Sequence, residues 1–435
     1  MSFTGMWRDL APLGRDAATG GYRRYAWSAA AGECRAWFRG EAEARGLAVE
    51  TDRNGNAWAW LGDPAAGGAV VTGSHLDSVP DGGAFDGPLG VVSAFAALDE
   101  LRARGARLDR PLGIVDFADE EGARFGLACV GSRLAAGRLG REDAHALTDA
   151  EGVTLPRAME AAGYDPDAIG PDPERLARIG AFVELHVEQG RALDLLGRPV
   201  GIASSIWPHG RWRFDFRGEA NHAGTTRLQD RRDPMLGYSA TVLAARERAE
   251  RAGALATFGK VAVAPNGVNA IPSLVSGWLD SRAPDEATLE ALVSGIERAA
   301  TEHARRYGTT LDVTRESFTP VVDFGHALRD EIARILAPEG QEGPEGPRRP
   351  EAQGRPGEPV PADGAARASA QVPVLATGAG HDAGILSASV PTAMLFVRNP
   401  TGVSHAPAEH ATEDDCAAGV RALADVLEGL AADRG

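Results

Sequence analysis

The sequence predicts an α/β sheet domain interrupted by a smaller, inserted α+β domain. Through the first two hundred residues, short apolar runs ending in polar clusters alternate with stretches of helical periodicity, the pattern of a sheet with chemistry at its strand ends. Near residue 208 the pattern changes: Arg211-Trp212-Arg213-Phe214-Asp215-Phe216-Arg217 alternates with period two, as a half-exposed antiparallel strand does. The 435 residues also exceed what one hydrophobic core usually serves. These observations place a first domain over 1–207 and 325–435 and the inserted one over 208–324.

Residues 28–46, rich in Ala, Glu and Arg with Trp37 and Phe38 to one side, predict an amphipathic helix. Strands follow near 47–50 and 56–60, and then Ala69-Val70-Val71 leads into a glycine-rich loop. Pro88 is placed to start a helix whose apolar stripe runs from Val91 to Leu101. Residues 112–117 form a buried-strand candidate ending in Asp119-Glu120-Glu121-Gly122, and 181–188 form another ending in polar groups. In the inserted domain, helices over about 234–251 and 285–306 join strands near 257–264, 274–282 and 310–315 in β-α-β-β-α-β order. Strands at 372–376 and 393–397 then flank Gly378-Ala379-Gly380-His381-Asp382, and a loop at 402–407 precedes a final helix. Residues 338–371 fit neither domain. Dense in Pro, Gly, Glu, Ala and Arg, they cannot bury enough surface to offset ordering entropy, which predicts a disordered or weakly ordered insertion.

A formal net charge of -16 argues against a nucleic-acid or anionic-membrane partner, which would be repelled at long range. The three cysteines, Cys34, Cys129 and Cys416, form no CxxC pair, so neither a disulfide framework nor a thiolate zinc cluster is implied. No run of about 18 apolar residues occurs, and the N-terminus lacks a basic region followed by an apolar core. The expectation is a cytoplasmic protein without membrane association. Neither a GxxxxGK[ST] phosphate loop nor a GxSxG elbow is present.

The chemistry concentrates in Gly73-Ser74-His75-Leu76-Asp77-Ser78-Val79-Pro80-Asp81-Gly82-Gly83-Ala84-Phe85-Asp86-Gly87, one imidazole and three carboxylates after a buried run. Residues two apart share a strand face, so Asp77 can sit behind His75, and the glycines let the chain double back to bring Asp86 beside it. The pattern predicts half of a metal site. A lone Glu-Glu is commonly a solvated pair at a helix start. Glu120-Glu121 instead follows a buried run, third in a series of strand-end polar clusters. His75, His186, His222, His381 and His405 stand in glycine-rich or strand-terminal contexts, unlike the other five histidines. Nitrogen and oxygen donors without thiolates suit Mn, Zn, Co or Ni, and a shared Asp is the usual way to hold two such ions together.

These residues resemble the M20 family of dinuclear metallo-amidohydrolases and peptidases. Phe182-Val183-Glu184-Leu185-His186-Val187-Glu188-Gln189-Gly190, His222-Ala223-Gly224-Thr225-Thr226, Arg231-Arg232-Asp233 and Gly378-Ala379-Gly380-His381-Asp382-Ala383 are similar to its hydantoinase/carbamoylase branch. That branch contains allantoate amidohydrolases, N-carbamoyl-L-amino-acid hydrolases and β-ureidopropionases. Arg227-Leu228-Gln229 stands where the branch commonly continues HAGTT with proline.

The resemblance implies a mixed-sheet dinuclear metal hydrolase domain with an inserted ferredoxin-like dimerisation (lid) domain. It implies two divalent ions per subunit, with His75 and His186 on one, Glu121 and His405 on the other and Asp86 bridging both. Asp77 would steady His75 from behind. Glu120 would be the general base toward the bridging water, and His222 an oxyanion stabiliser from the partner subunit of a homodimer. Gln189, Asn269, Arg282 and His381 would surround a carboxylate-bearing substrate, Arg282 by a bidentate grip. The implied activity is cleavage of the C–N bond of a ureido acid, allantoate or an N-carbamoyl-L-amino acid. Two rivals stay open: an M20 aminopeptidase or deacylase, and a non-catalytic small-molecule-binding protein on the same fold.

Overall fold

The computed structural model describes residues 2–337 and 371–432, so the insertion expected over 338–371 lies, but for its last residue, outside the described residues. These fall into two compact units, one of residues 2–204, 324–337 and 371–432, the other of 205–323.

The strands up to the second unit are β1 (Ala48–Thr51), β2 (Ala57–Leu61), β3 (Ala69–His75), β4 (Leu112–Phe117), β5 (Ile179–Val187) and β6 (Val200–Ile206). Within the second unit run β7 (His209–Arg217), β8 (Asn221–His222), β9 (Leu255–Ala264), β10 (Ala270–Ile271), β11 (Leu274–Arg282), β12 (Thr310–Thr319) and β13 (Val322–Asp323), and after it come β14 (Val374–Thr377) and β15 (Thr392–Val397). The main sheet has the order β1-β2-β4-β3-β5-β15-β6, with β14 beside β6. Its centre is parallel: β3 pairs with β4 and β5, and β5 with β15. It is therefore mixed, because β1, β2 and β6 join antiparallel. The parallel register sets His75 opposite Phe117 and His186 opposite Phe396, so the polar residues that follow these strands emerge at one edge.

The four parallel strands are buried along nearly their whole length, which is why they read as continuous apolar runs. The helix Pro88–Arg104 starts with Pro in its first turn and ends at Gly105 in the left-handed conformation. It buries Leu89, Val92, Phe95 and Leu98 together with Leu423 and Leu427 of the C-terminal helix Glu413–Ala431. Gly90 lets this helix settle on β5, since a Cβ there would stand 2.3 Å from the Leu185 carbonyl oxygen. Thr412 caps the C-terminal helix by accepting the Asp415 N–H at 3.1 Å.

The second unit is a four-stranded antiparallel sheet, order β12-β7-β11-β9, whose core of Phe214, Phe216, Val275 and Leu279 packs with Leu292 and Ile296. Helices Pro234–Ala252 and Glu286–Arg306 give the β-α-β-β-α-β sequence of a ferredoxin-like sandwich.

The two-residue strands β8, β10 and β13 go unread, and two longer strands differ from the sequence reading. β6 goes unread because Gly201, Ser204 and Ser205 dilute its apolar signal, although Ile202 pairs with Leu395 in the main sheet. β12 runs past Arg315 to Thr319 because a register shift between Arg315 and Ser317 resets the alternation. Among the described residues, no helix is long and apolar enough to cross a membrane.

Candidate metal centre

His75 ends β3 and His186 lies one residue before the end of β5; both side chains are fully buried. Asp86 returns on the loop after β3. That return needs Gly87, which has φ +82° and where a Cβ would lie 2.4 Å from the His75 ring. Asp86 Oδ1 stands 3.6 Å from His75 Nε2 and 3.2 Å from His186 Nε2. Its other oxygen, Oδ2, stands 3.3 Å from His405 Nε2, which is 3.6 Å from Glu121 Oε2. One carboxylate thus faces two donor sets, His75 with His186 and Glu121 with His405, each close enough with Asp86 to hold one ion.

The ring nitrogens fit a cation. Nδ1 of His75 lies 3.2 Å from the Asp77 carbonyl, and Nδ1 of His186 lies 2.9 Å from the Val187 carbonyl. A carbonyl only accepts, so each Nδ1 carries hydrogen and Nε2 is the nitrogen left to face a metal. Both Nε2 atoms are buried without a hydrogen-bond partner, as is Glu121 Oε1. Such orphaned groups are costly unless something polar or charged meets them.

The electrostatics point the same way. Burial opposes charge on His75, yet Glu120, Asp77 and Asp86 outweigh it and raise its pKa well above the ordinary value. Burial likewise works against ionised Asp86, but His186, His405 and His75 pull it well below the carboxylate range. Burial pushes Glu120 well up and Glu121 to about 7, and the hydrogen bond to Asp86 is the main cause that raises His405 to about 9. A pocket of closely spaced buried carboxylates attracts positive charge.

Asp77 does more than stand behind His75, whose Nδ1 is 3.5 Å from its Oδ1. The two oxygens of Asp77 accept the backbone N–H groups of Glu120 and Glu121, each at 3.1 Å. Glu120 is buried, with Oε2 3.7 Å from His75 Nε2 and Oε1 accepting from the Cys129 thiol at 3.3 Å. Gln189 lies at the cluster, its Nε2 2.9 Å from Asp86 Oδ2. His381 is buried edge-on against His186, ring centroids 4.5 Å apart, with Nε2 unpartnered. Burial and the neighbouring His186 lower its pKa well below the usual value.

The remaining sequence-predicted residues belong to the second unit. His222 is exposed at the β8–β10 pair, opposite Ala270. Its Nδ1 accepts the N–H groups of Gly224 and Thr225 at 3.0 and 3.2 Å, so its proton sits on Nε2. The Asn269 carbonyl accepts the Ala223 N–H at 2.9 Å, which joins the two predicted residues in one loop pair. Arg282 donates from Nε and Nη2 to Asp280 at 2.8 and 3.3 Å, so part of its fork already grips a carboxylate of this chain.

Several contributing residues escape the sequence reading. Glu409, buried, accepts the N–H groups of Phe85 and Asp86 at 2.9 Å each and so fixes the shared carboxylate. Ser404 donates to Asp86 Oδ2 at 3.2 Å. Glu184 accepts from Ser74 at 2.7 Å and from the Ala383 N–H at 3.0 Å, binding the strands beneath the site. Glu409 carried no signal, since no helix links it to His405 to give a four-residue spacing meaning. Cys129 carried none, since a lone thiol without a CxxC partner points nowhere. Asp81 lies apart from the cluster, ion-paired with Arg23 at 3.0 Å.

The profile of peptidase family M20/M25/M40 matches residues 71–429. The chain belongs to that family. Its members are metal-dependent hydrolases, and the cluster described above is able to hold metal. The chain is 34% identical over 434 residues to an N-carbamoyl-L-amino acid amidohydrolase of Geobacillus stearothermophilus, covering 98% of each. It is 31% identical over 425 residues to an allantoate amidohydrolase of Escherichia coli K12, covering 97% of this chain and 96% of the other. Among solved structures, a hydantoinase/carbamoylase family amidase from Burkholderia multivorans matches with TM-score 0.80 and 28% identity over 99% of this chain and 97% of that one.

Proposed function

We propose that this protein is a two-metal amidohydrolase that cleaves the C–N bond of a ureido acid, with allantoate and N-carbamoyl-L-amino acids as the leading substrates. The substrate class is supported by the full-length similarity to enzymes that bear both names. The two-metal reading is carried by Asp86, whose two oxygens face different donor sets.

In this reading His75 and His186 would hold one divalent ion and Glu121 and His405 the other, with Asp86 facing both sets. Mn, Zn, Co and Ni all suit such nitrogen and oxygen donors. When bound, the ions polarise the scissile carbonyl and acidify the attacking water. Glu120 accepts that water's proton and passes it to the departing nitrogen. Its anchoring through Oε1 by Cys129 keeps Oε2 toward the cluster for this task. His222, from the partner subunit of a homodimer, offers its Nε2–H to the oxygen where negative charge develops. Gln189, Asn269, Arg282 and His381 bind the substrate's carboxylate and ureido groups.

Support for self-association comes from the second unit. Edge strand β9 exposes Leu255 and Val261, and the helix Pro234–Ala252 exposes Leu236 and Leu243, a combination that a second copy could cover. Light scattering should report twice the mass of the 45.4 kDa chain. The activity test is ammonia release from allantoate and from a panel of N-carbamoyl-L-amino acids with Mn, Co, Zn or Ni supplied in turn. Release from at least one is expected, and silence across the whole panel would sink the proposal.

A further inference from the structure

We infer that Gln189 gates the second metal position: its side-chain amide occupies donor atoms that the cation on the Glu121 and His405 side needs, and it must turn away before that cation binds. The inference rests on the two-metal reading above. Gln189 follows the end of β5 by two residues. Its Nε2 lies 2.9 Å from Asp86 Oδ2, 3.0 Å from Ser404 Oγ and 3.3 Å from His405 Nε2. Of the three side chains grouped at that position, Asp86 is therefore engaged by the amide nitrogen, which also stands against the His405 ring. That nitrogen carries two hydrogens and has no coordinating lone pair, so it competes with a cation and cannot assist it.

The first position differs. His75 Nε2 and His186 Nε2 are buried with no hydrogen-bond partner, so an ion arriving there displaces no protein donor from them. The two halves of the centre, which share Asp86, are thereby made unequal by one residue that is not itself a ligand. The other end of the same amide is free for the turn: Gln189 Oε1 is buried and unpartnered, so swinging the amide away breaks no hydrogen bond on that side.

Calorimetric titration of metal-stripped, full-length protein with Mn2+, with bound metal counted by elemental analysis, tests this. Wild-type protein should take up two ions in a tight and a weaker step. Gln189→Ala and Gln189→Leu, the second keeping bulk without the amide hydrogens, should each tighten the weaker step by about tenfold or more, the scale on which groups contacting metal ligands act. The tight step should stay within about twofold, since Gln189 does not touch His75 or His186 Nε2. Two bound ions with a weaker step that is unchanged or loosened in either variant would overturn the gate alone. Wild-type uptake of one ion or none would overturn the two-metal reading and the gate with it.

Discussion

Asp77→Asn replaces an oxygen by a nitrogen with almost no change of shape, and it isolates what the Asp77 carboxylate does. Each of its oxygens accepts one backbone N–H, from Glu120 and from Glu121, at 3.1 Å. Asparagine offers a single acceptor, so one of these two N–H groups would face an NH2 instead. An unsatisfied buried donor costs about 1–3 kcal/mol, and losing the carboxylate's charge on the surviving bond costs about 1 kcal/mol more. The total is about 2–4 kcal/mol. The chain can absorb it in two ways. If the fold bears it, the melting temperature falls by several degrees, at about 2–4 °C per kcal/mol for a domain of roughly this size. If the acidic pair shifts instead, metal affinity through Glu121 drops by about 10–100-fold and turnover through Glu120 drops with it. Calorimetric melting of the metal-stripped variant and Mn2+ titration separate the two routes. A variant with wild-type melting and wild-type affinity would refute the clamp.

Glu120→Gln should keep its metal, because Glu120 lies outside both donor sets centred on Asp86, while turnover falls by about 10²–10⁴-fold; metal analysis beside a steady-state assay checks both halves. Cys129→Ala should lower kcat several-fold with KM little changed, because Glu120 Oε1 loses its anchor, and Cys129→Ser should restore most of it; equal loss in both variants would speak against anchoring. Metal affinity should rise with pH between about 6 and 9. Without metal, Glu121 titrates near 7 and His405 near 9, so each holds a proton below its own value that a cation must displace, and above 9 neither does. Titrations across that range in buffers of different protonation enthalpy would detect the released protons, and a flat profile would contradict the assignment.

Much of this was legible in the sequence because it is local. Period-two and period-3.6 patterns follow from backbone geometry, so the parallel core strands, the helix begun by Pro88 and the sandwich over the inserted segment could be read residue by residue. The donor types were legible too, since histidines and carboxylates at the ends of buried runs have few structural reasons to be there. β6 escaped because glycine and serine weaken its pattern, and its place is set by pairing with β15, nearly two hundred residues later.

What the tertiary structure decided is how those residues divide their work, because that depends on contacts between distant segments. Glu409 meets the Asp86 N–H across 323 positions, and no periodicity records such a pair. Asp77, placed behind His75 by strand alternation, also accepts the backbone N–H groups of Glu120 and Glu121, since the parallel register of β3 and β4 brings their ends together. Gln189 against Asp86, and Cys129 against Glu120, likewise arise only where separate loops converge. Residue chemistry and local spacing name the donors, and the convergence of chain segments sets which atom of each faces which.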